Sequence, residues 1–345
     1  MRLKKMRSLK ILKNIRHRMI EANIDALVIM NSLNTSYIVG SEVRDSTIIV
    51  LHDDAYLITH YINEIPENDA LKILKYSPYP PQTPTYSLIT SSSIEATLQM
   101  LKILSRRIRT IGIDEKYISS QISREIHDHT RNLNISCIDA SHIISEIRTI
   151  KIDEDLNNLR KCCTSINCVI EECVNKIKSS KLSNIRKCLL ENLPETVNSI
   201  TISCERNANT VRFRVITNCG VLKILIASTI PQTSKAQELW NKITESTLNS
   251  LNELSTGEEL RLCVVNILDQ LWKEEEVFID LHGIGVELVE DPIITPHSDV
   301  LVEKGMTLAL ELMMKSRDMK LELALTMMVP KDRIELLTPP LSILT

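Results

Sequence analysis

FIDLHGIGVELVEDP, residues 278–292, holds two of the chain's seven glycines, Gly283 and Gly285, immediately after His282. In so glycine-poor a chain, two glycines one residue apart mark a sharp turn or a close approach of backbone to a neighbour. The histidine is placed at that turn, and Glu290-Asp291-Pro292 follows. Three readings are open: a metal ligand, the remains of one, or a tight turn between two strands.

Downstream, residues 306–328 read as a hairpin. With KSRD as the turn and Ser316-Arg317 as its two-residue loop, Leu308 meets Leu325, Leu310 meets Leu323 and Leu312 meets Leu321. The other face pairs Thr307 with Thr326, Ala309 with Ala324 and Glu311 with Glu322. Facing carboxylates on adjacent strands repel, so the pair asks for a cation, a shared proton or a basic side chain.

Upstream, residues 9–22 form a helix with Leu9, Leu12, Ile15, Met19 and Ile20 on one side. The apolar run IDALVIM (24–30) suits a strand covered on both faces. STIIVLH and AYLITH form a hairpin about Asp53-Asp54, and helices follow near 92–105 and at 117–132. Strands alternating with helices give an α/β N-terminal domain over 1–150. In 151–345 an amphipathic helix covers 153–178, and further helices cover 234–254 and, after the capping signal Ser255-Thr256-Gly257-Glu258, the stretch to Trp272. Strands are expected at 198–204, 211–217 and 221–228. SPYPPQTP (77–84) is a proline-rich loop inside the first domain.

At 43% apolar and 25% charged residues the chain has a globular composition, and its net charge of −3 gives no global pull toward nucleic acid or membrane. No apolar run approaches the roughly 18 residues of a spanning helix. Residues 2–18 carry eight Lys/Arg and no acid, a solvated helix face or a basic arm for nucleic acid or the ribosome. The nine cysteines include no CxxC pair, and the five-residue spacing of Cys163, Cys168 and Cys173 is a poor one for a single metal. They read as buried thiols of a cytoplasmic protein; disulfides would suit a heat-adapted cell.

HGIG…E.P, KGMTLALE (304–311), LELALTMMV (321–329) and LLTPP (336–340) together resemble the C-terminal half of the pita-bread metallopeptidases. That family includes Xaa-Pro dipeptidases and aminopeptidases, methionine aminopeptidases and creatinase. NTSYIVG (34–40), IGIDEKYIS (111–119) and ASHIISEIRTIKIDEDLNNLRK (140–161) resemble its two-domain members. The resemblance implies a creatinase/prolidase-like α/β domain over 1–150. It implies an α+β pita-bread (creatinase/aminopeptidase-like) domain over 151–345.

Active members hold two divalent metals with two Asp, one His and two Glu. Carried over by position, His282 is the His ligand and Glu311 and Glu322 are the glutamates. ITNCGVLKILIASTIPQT (216–233) puts Asn218 and Thr229 at the two aspartates, and Val289 stands where a substrate-contacting histidine is expected. CERNANTVRFR (204–214) lacks the usual upstream histidine. Neutral oxygens cannot bridge two metals or generate a bound hydroxide as carboxylates do. The resemblance therefore implies a pseudo-peptidase, a scaffold for a peptide or protein partner, as catalytically silent relatives in ribosome-associated factors and histone chaperones are. The alternative is a hydrolase retaining one Mn, Co, Zn or Fe ion on His282, Glu311 and Glu322. Prolidase-like relatives are commonly homodimers, and a cytoplasmic homodimer is expected here.

Overall fold

The computed structural model describes residues 2–65, 70–79, 88–176, 187–188, 190–192, 197–203, 212–217, 223–230, 262, 265–266, 276–287, 289–295, 299–315, 320–329, 335–337 and 341–342. In the strands between 197 and 230 and between 312 and 325 it describes backbone alone. The chain divides into two compact units, Met1–Ile147 and Arg148–Thr345.

The first unit contains α1 (Arg2–Glu21), β1 (Ala26–Ile29), α2 (Ser32–Val39), β2 (Ser46–Leu51), β3 (Ala55–His60), β4 (Lys72–Ser77) and β5 (Leu88–Ile89). It continues with α3 (Ser93–Leu104), β6 (Thr110–Ile113), α4 (Ser120–Asn132), β7 (Ser136–Asp139) and α5 (Ser141–Thr149). The sheet order is β5-β4-β3-β2-β1-β6-β7. β1 is buried at every position, as its unbroken apolar run requires of a central strand. β2 and β3 pair antiparallel around Asp53-Asp54, while β3, β4 and β5 run parallel.

Two expectations change in α1. Ile11, Leu12, Ile15 and Met19 are buried, but Leu9 and Ile20 are exposed, because Ser8 continues the inward stripe in their place. The basic run is also partly spent within the unit. Arg7 is buried, donates to the Tyr37 carbonyl and lies over the Tyr37 ring. Arg16 donates to the Leu51 carbonyl, and Arg18 pairs with Glu21 and Glu146. NTSYIVG proves to be most of a helix. Asn31 caps α2 by accepting from the Leu33 and Asn34 amides, and Gly40 ends it in the left-handed region at φ 78°.

The second unit opens with α6 (Asp153–Lys176), which buries Leu156, Leu159, Cys163, Ile166 and Cys173 along one stripe. β8 (Val197–Ser203), β9 (Arg212–Thr217) and β10 (Lys223–Ile230) follow, then β11 (Glu276–Gly283) and β12 (Glu290–Ile294). β13 (Thr307–Lys315), β14 (Lys320–Met328), β15 (Glu335–Leu336) and β16 (Leu341–Ser342) complete it. One sheet runs β16-β10-β9-β8 and the other β12-β11-β13-β14-β15, with β10 beside β14. The helices expected over 234–272 lie outside the described residues apart from helical turns at Leu262 and Val265-Asn266, and most of the proline-rich loop also lies outside them.

The final hairpin exists, but its register differs from the expected one by two residues. Lys315 pairs with Lys320, so four residues separate the strands instead of Ser316-Arg317 alone. Leu310 meets Leu325 and Leu312 meets Leu323, whereas Leu308 meets Met327 and Thr307 meets Met328. A two-residue slip preserves which face each side chain occupies, so the apolar ladder survives and only the partners change. Leu281, Leu308, Leu310 and Met327 are fully buried on it.

The cysteines also depart from the buried-thiol reading. Cys173 is bonded to Cys188, and Cys162 is disulfide-bonded as well. Cys163 remains a buried thiol, pushed up to about 12 by burial and then by Glu335, while Cys168 is an exposed thiol.

Candidate functional site

β11 carries His282 in the strand itself, one residue before the turn, and antiparallel pairing places it across from Ile293 on β12 and Ala309 on β13. The two glycines answer to different neighbours. A Cβ on Gly283 would stand 2.2 Å from the Asp291 carbonyl oxygen. On Gly285 it would stand 2.5 Å from a Glu290 carboxylate oxygen and 2.7 Å from Lys151 Cε. The glycine run is therefore dictated by packing against 290–291 and a buried lysine.

Those neighbours form a buried ionic cluster. Glu290 accepts from Arg148 Nη2 and Lys151 Nζ, both at 2.6 Å, and Arg148 Nη2 also reaches Glu287 at 2.6 Å. Arg148, Lys151 and Glu290 are almost fully buried, while Glu287 is about one-third exposed. Burial raises the Glu290 pKa, but Lys151 and Arg148 outweigh it and hold the carboxyl below its ordinary range. Burial likewise works against the Arg148 charge, and Glu290 and Glu287 more than restore it. The cluster clamps the 283–290 connection from both ends.

His282 is fully buried. Its Nδ1 lies 2.9 Å from the Gly283 carbonyl, which can only accept, so Nδ1 donates. Nε2 is left 3.6 Å from Glu311 Oε1 and makes no hydrogen bond. Burial depresses the imidazole pKa, yet Glu311, the Gly283 carbonyl and Asp280 together raise it above the ordinary value.

Glu311 does not face Glu322. Its cross-strand partners are Ala324 on β14 and Asp280 on β11, while Glu322 pairs with Met313. The expected pairing of two glutamates is thus not formed, and the residues paired with Glu311 are Asp280 and Ala324. Glu322 lies on β14 and Thr229 on β10, with only their backbones described; Asn218 is outside the described residues. Val289 is exposed in the connection between β11 and β12. Asp280 was passed over in the sequence, although its alternation with His282 through FIDLHG placed it on the same face. Arg148 and Lys151 carried no such local signal, because their partners lie 142 and 139 residues away.

The creatinase/prolidase N-terminal domain family matches residues 11–150. An Xaa-Pro dipeptidase from Bacillus anthracis superimposes with a TM-score of 0.77 over 98% of this chain and 100% of its own, at 16% identity. The X-Pro aminopeptidase of Thermotoga maritima MSB8 gives 0.73 over 93% and 97%, also at 16%. The prolidase of Pyrococcus horikoshii OT3 gives 0.70 over 97% and 100%, again at 16%. No curated protein sequence matches the chain. Residues 11–150 thus carry a creatinase/prolidase N-terminal domain, and the chain shares the fold of these solved structures along nearly its whole length.

Proposed function

We propose that this chain is a non-catalytic Xaa-Pro-peptidase-like scaffold that has lost the dinuclear metal site and binds a peptide or protein partner. The observation that carries the reading is the register at Glu311, which brings Ala324 and not a second glutamate across from it. Asn218 and Thr229, at the positions where the family resemblance puts the aspartates, remove two more carboxylates. A two-metal centre needs anionic oxygens shared between its ions, and the residues present do not fit one. In this reading the scaffold works as a cytoplasmic homodimer. No described helix is long and apolar enough to cross a membrane. The Cys173–Cys188 bond fits that cytoplasmic reading in a heat-adapted cell.

The unpartnered Nε2 of His282 beside Glu311 favours a second reading, a hydrolase that keeps one Mn, Co, Zn or Fe ion. In that case His282 and Glu311 supply two donors, and a third comes from Glu322 or Asp280. Incubation with Mn or Co and Xaa-Pro dipeptides separates the two readings. The scaffold reading expects no turnover. A rate in the ordinary enzyme range, roughly 1–1000 per second, that vanishes in Glu311→Ala would establish the hydrolase instead.

A further inference from the structure

At the corner of the first unit where β3, β4 and β5 end side by side, four large apolar side chains are exposed. Tyr61 (40% exposed) and Ile62 (70%) follow β3, Tyr79 (73%) follows β4, and Ile89 (60%) ends β5. The three strands run parallel, with His60 opposite Tyr76 and Ser77 opposite Ile89. The Tyr61 amide donates to the Tyr76 carbonyl at 3.0 Å, and the Tyr79 amide to Ser77 Oγ at 3.2 Å, so both tyrosines are held against β4. Ile89 stands one strand further out, about 5 Å away. The chain has only seven tyrosines, and the two that are exposed among the described residues are both at this corner. The His60 ring packs on Tyr61 at 4.6 Å and on Tyr76 at 5.2 Å, which fixes the Tyr61 ring before anything docks on it. A cluster of this kind is an interaction surface rather than the scattered apolar exposure of an ordinary surface, and tyrosine is the residue type enriched at contact centres.

The charges around the cluster choose the partner. Lys75 Nζ donates to the Tyr61 carbonyl at 3.3 Å, which sets its ammonium at the edge of the patch. Glu64 is exposed just past the turn that the Asn63 amide closes on the His60 carbonyl. Neither has an ion pair among the described residues, whereas the nearby Arg44 is matched by Glu42 at 2.8 Å. A rim with one spare charge of each sign selects neither a polyanion nor a cationic partner. It does suit a copy of itself, because a two-fold contact presents one patch to the same patch and needs charges that complement each other within it.

We propose that this corner is the contact between two copies of the chain, with Tyr61, Ile62, Tyr79 and Ile89 at its centre and Lys75 of each copy facing Glu64 of the other. The proposal rests on the homodimer in the reading above and names the surface that forms it. Sedimentation of the full chain at micromolar concentration tests it. Ile62→Asp with Tyr79→Asp should raise the dimer dissociation constant at least about thirtyfold. Lys75→Glu and Glu64→Lys should each weaken the dimer about tenfold, since symmetry repeats every substitution twice, and the two together should restore it to within about threefold. That restoration separates a lost contact from a lost fold, because a misfolded chain is not rescued by a second charge reversal. A wild-type monomer overturns the homodimer reading and the contact together, and leaves the corner to a different protein. A dimer that survives Ile62→Asp with Tyr79→Asp, or charge reversals that do not compensate each other, overturns the contact alone.

Discussion

Among the described residues, each unit holds a buried carboxylate close to the end of a strand, and the two are held in opposite ways. In the first unit Asp114, just past β6, accepts from the Met30 amide at 3.2 Å, the Asn31 amide at 3.3 Å and Asn34 Nδ2 at 3.3 Å. These donors are neutral, and burial prevails over them, pushing the carboxyl up to about 6. In the second unit Glu290, at the start of β12, is as deeply buried but sits between Lys151 and Arg148, and its pKa is lowered. Burial alone does not fix the ionisation of a carboxyl. Neutral N–H groups here repay only part of the desolvation, and two full charges repay all of it. The first arrangement pins α2 to the end of the sheet. The second pins the glycine connection beside His282.

The comparison is broken most directly at Glu290. Glu290→Gln keeps the shape but leaves Lys151 buried opposite an amide, while Arg148 retains Glu287. Removing one partner of a buried charge pair costs about 3–5 kcal/mol. Hydrogen exchange read by mass spectrometry should show that loss in β11–β13 peptides, with the β1 and β6 peptides unchanged. A loss below about 1 kcal/mol would mean that the cluster relaxes into solvent and does not clamp the turn.

A smaller effect sharpens the contrast through pH. A folded-state pKa raised from 3.8 to about 6 means that the first unit binds the Asp114 proton more tightly than the unfolded chain does. The associated stability is full below about 4 and is lost as pH rises through about 6, by about 3 kcal/mol in all. Glu290 runs the other way: its contribution is present above the ordinary glutamate range and disappears as pH falls through its lowered value. Protection of β6 amides at pH 4 and pH 7, taken as the difference between wild type and Asp114→Asn, isolates the aspartate. No difference between the two pH values would place Asp114 in contact with water or with a cation.

Much of this architecture was legible in the sequence, and the part that was not has a physical reason. The run IDALVIM, the Asp53-Asp54 hairpin and the alternation in 307–328 are local patterns, so propensity and period were enough to place them. The register of the last hairpin was not local in that sense. The residues around Ser316-Arg317 form no strong two-residue turn signal, and a slip of two leaves every leucine on the same face, so periodicity could not choose between registers. That choice changed the site, because it put Ala324 instead of Glu322 across from Glu311, while the separate pairing of β11 with β13 puts Asp280 on its other side. His282 and Glu311, both singled out in the sequence, lie 3.6 Å apart. The ion pairs of Glu290 and the Cys173–Cys188 bond join residues that only the fold brings together. The Asp114 contacts are of the same kind, reaching back 80 to 84 residues.

The smallest expected effect is the most discriminating, because it repeats the Glu290 substitution in the other unit. Asp114→Asn also exchanges a carboxylate for an amide at a buried position. At pH 7 the wild-type carboxylate is ionised against the pull of burial, so the neutral amide escapes that cost. The asparagine in turn loses one acceptor oxygen and brings an NH2 group toward the Met30, Asn31 and Asn34 donors, a penalty of about 1–3 kcal/mol. The two terms oppose each other and are of similar size. Asp114→Asn should therefore change the stability of the first unit by no more than about 1 kcal/mol at pH 7, against about 3–5 kcal/mol for Glu290→Gln in the second. Denaturant dependence of hydrogen exchange in β1 and β6, compared with β11 and β13 in the same samples, gives both values. If the two substitutions cost the same, the counter-charges on Glu290 contribute nothing beyond hydrogen bonding, and the contrast between the units fails.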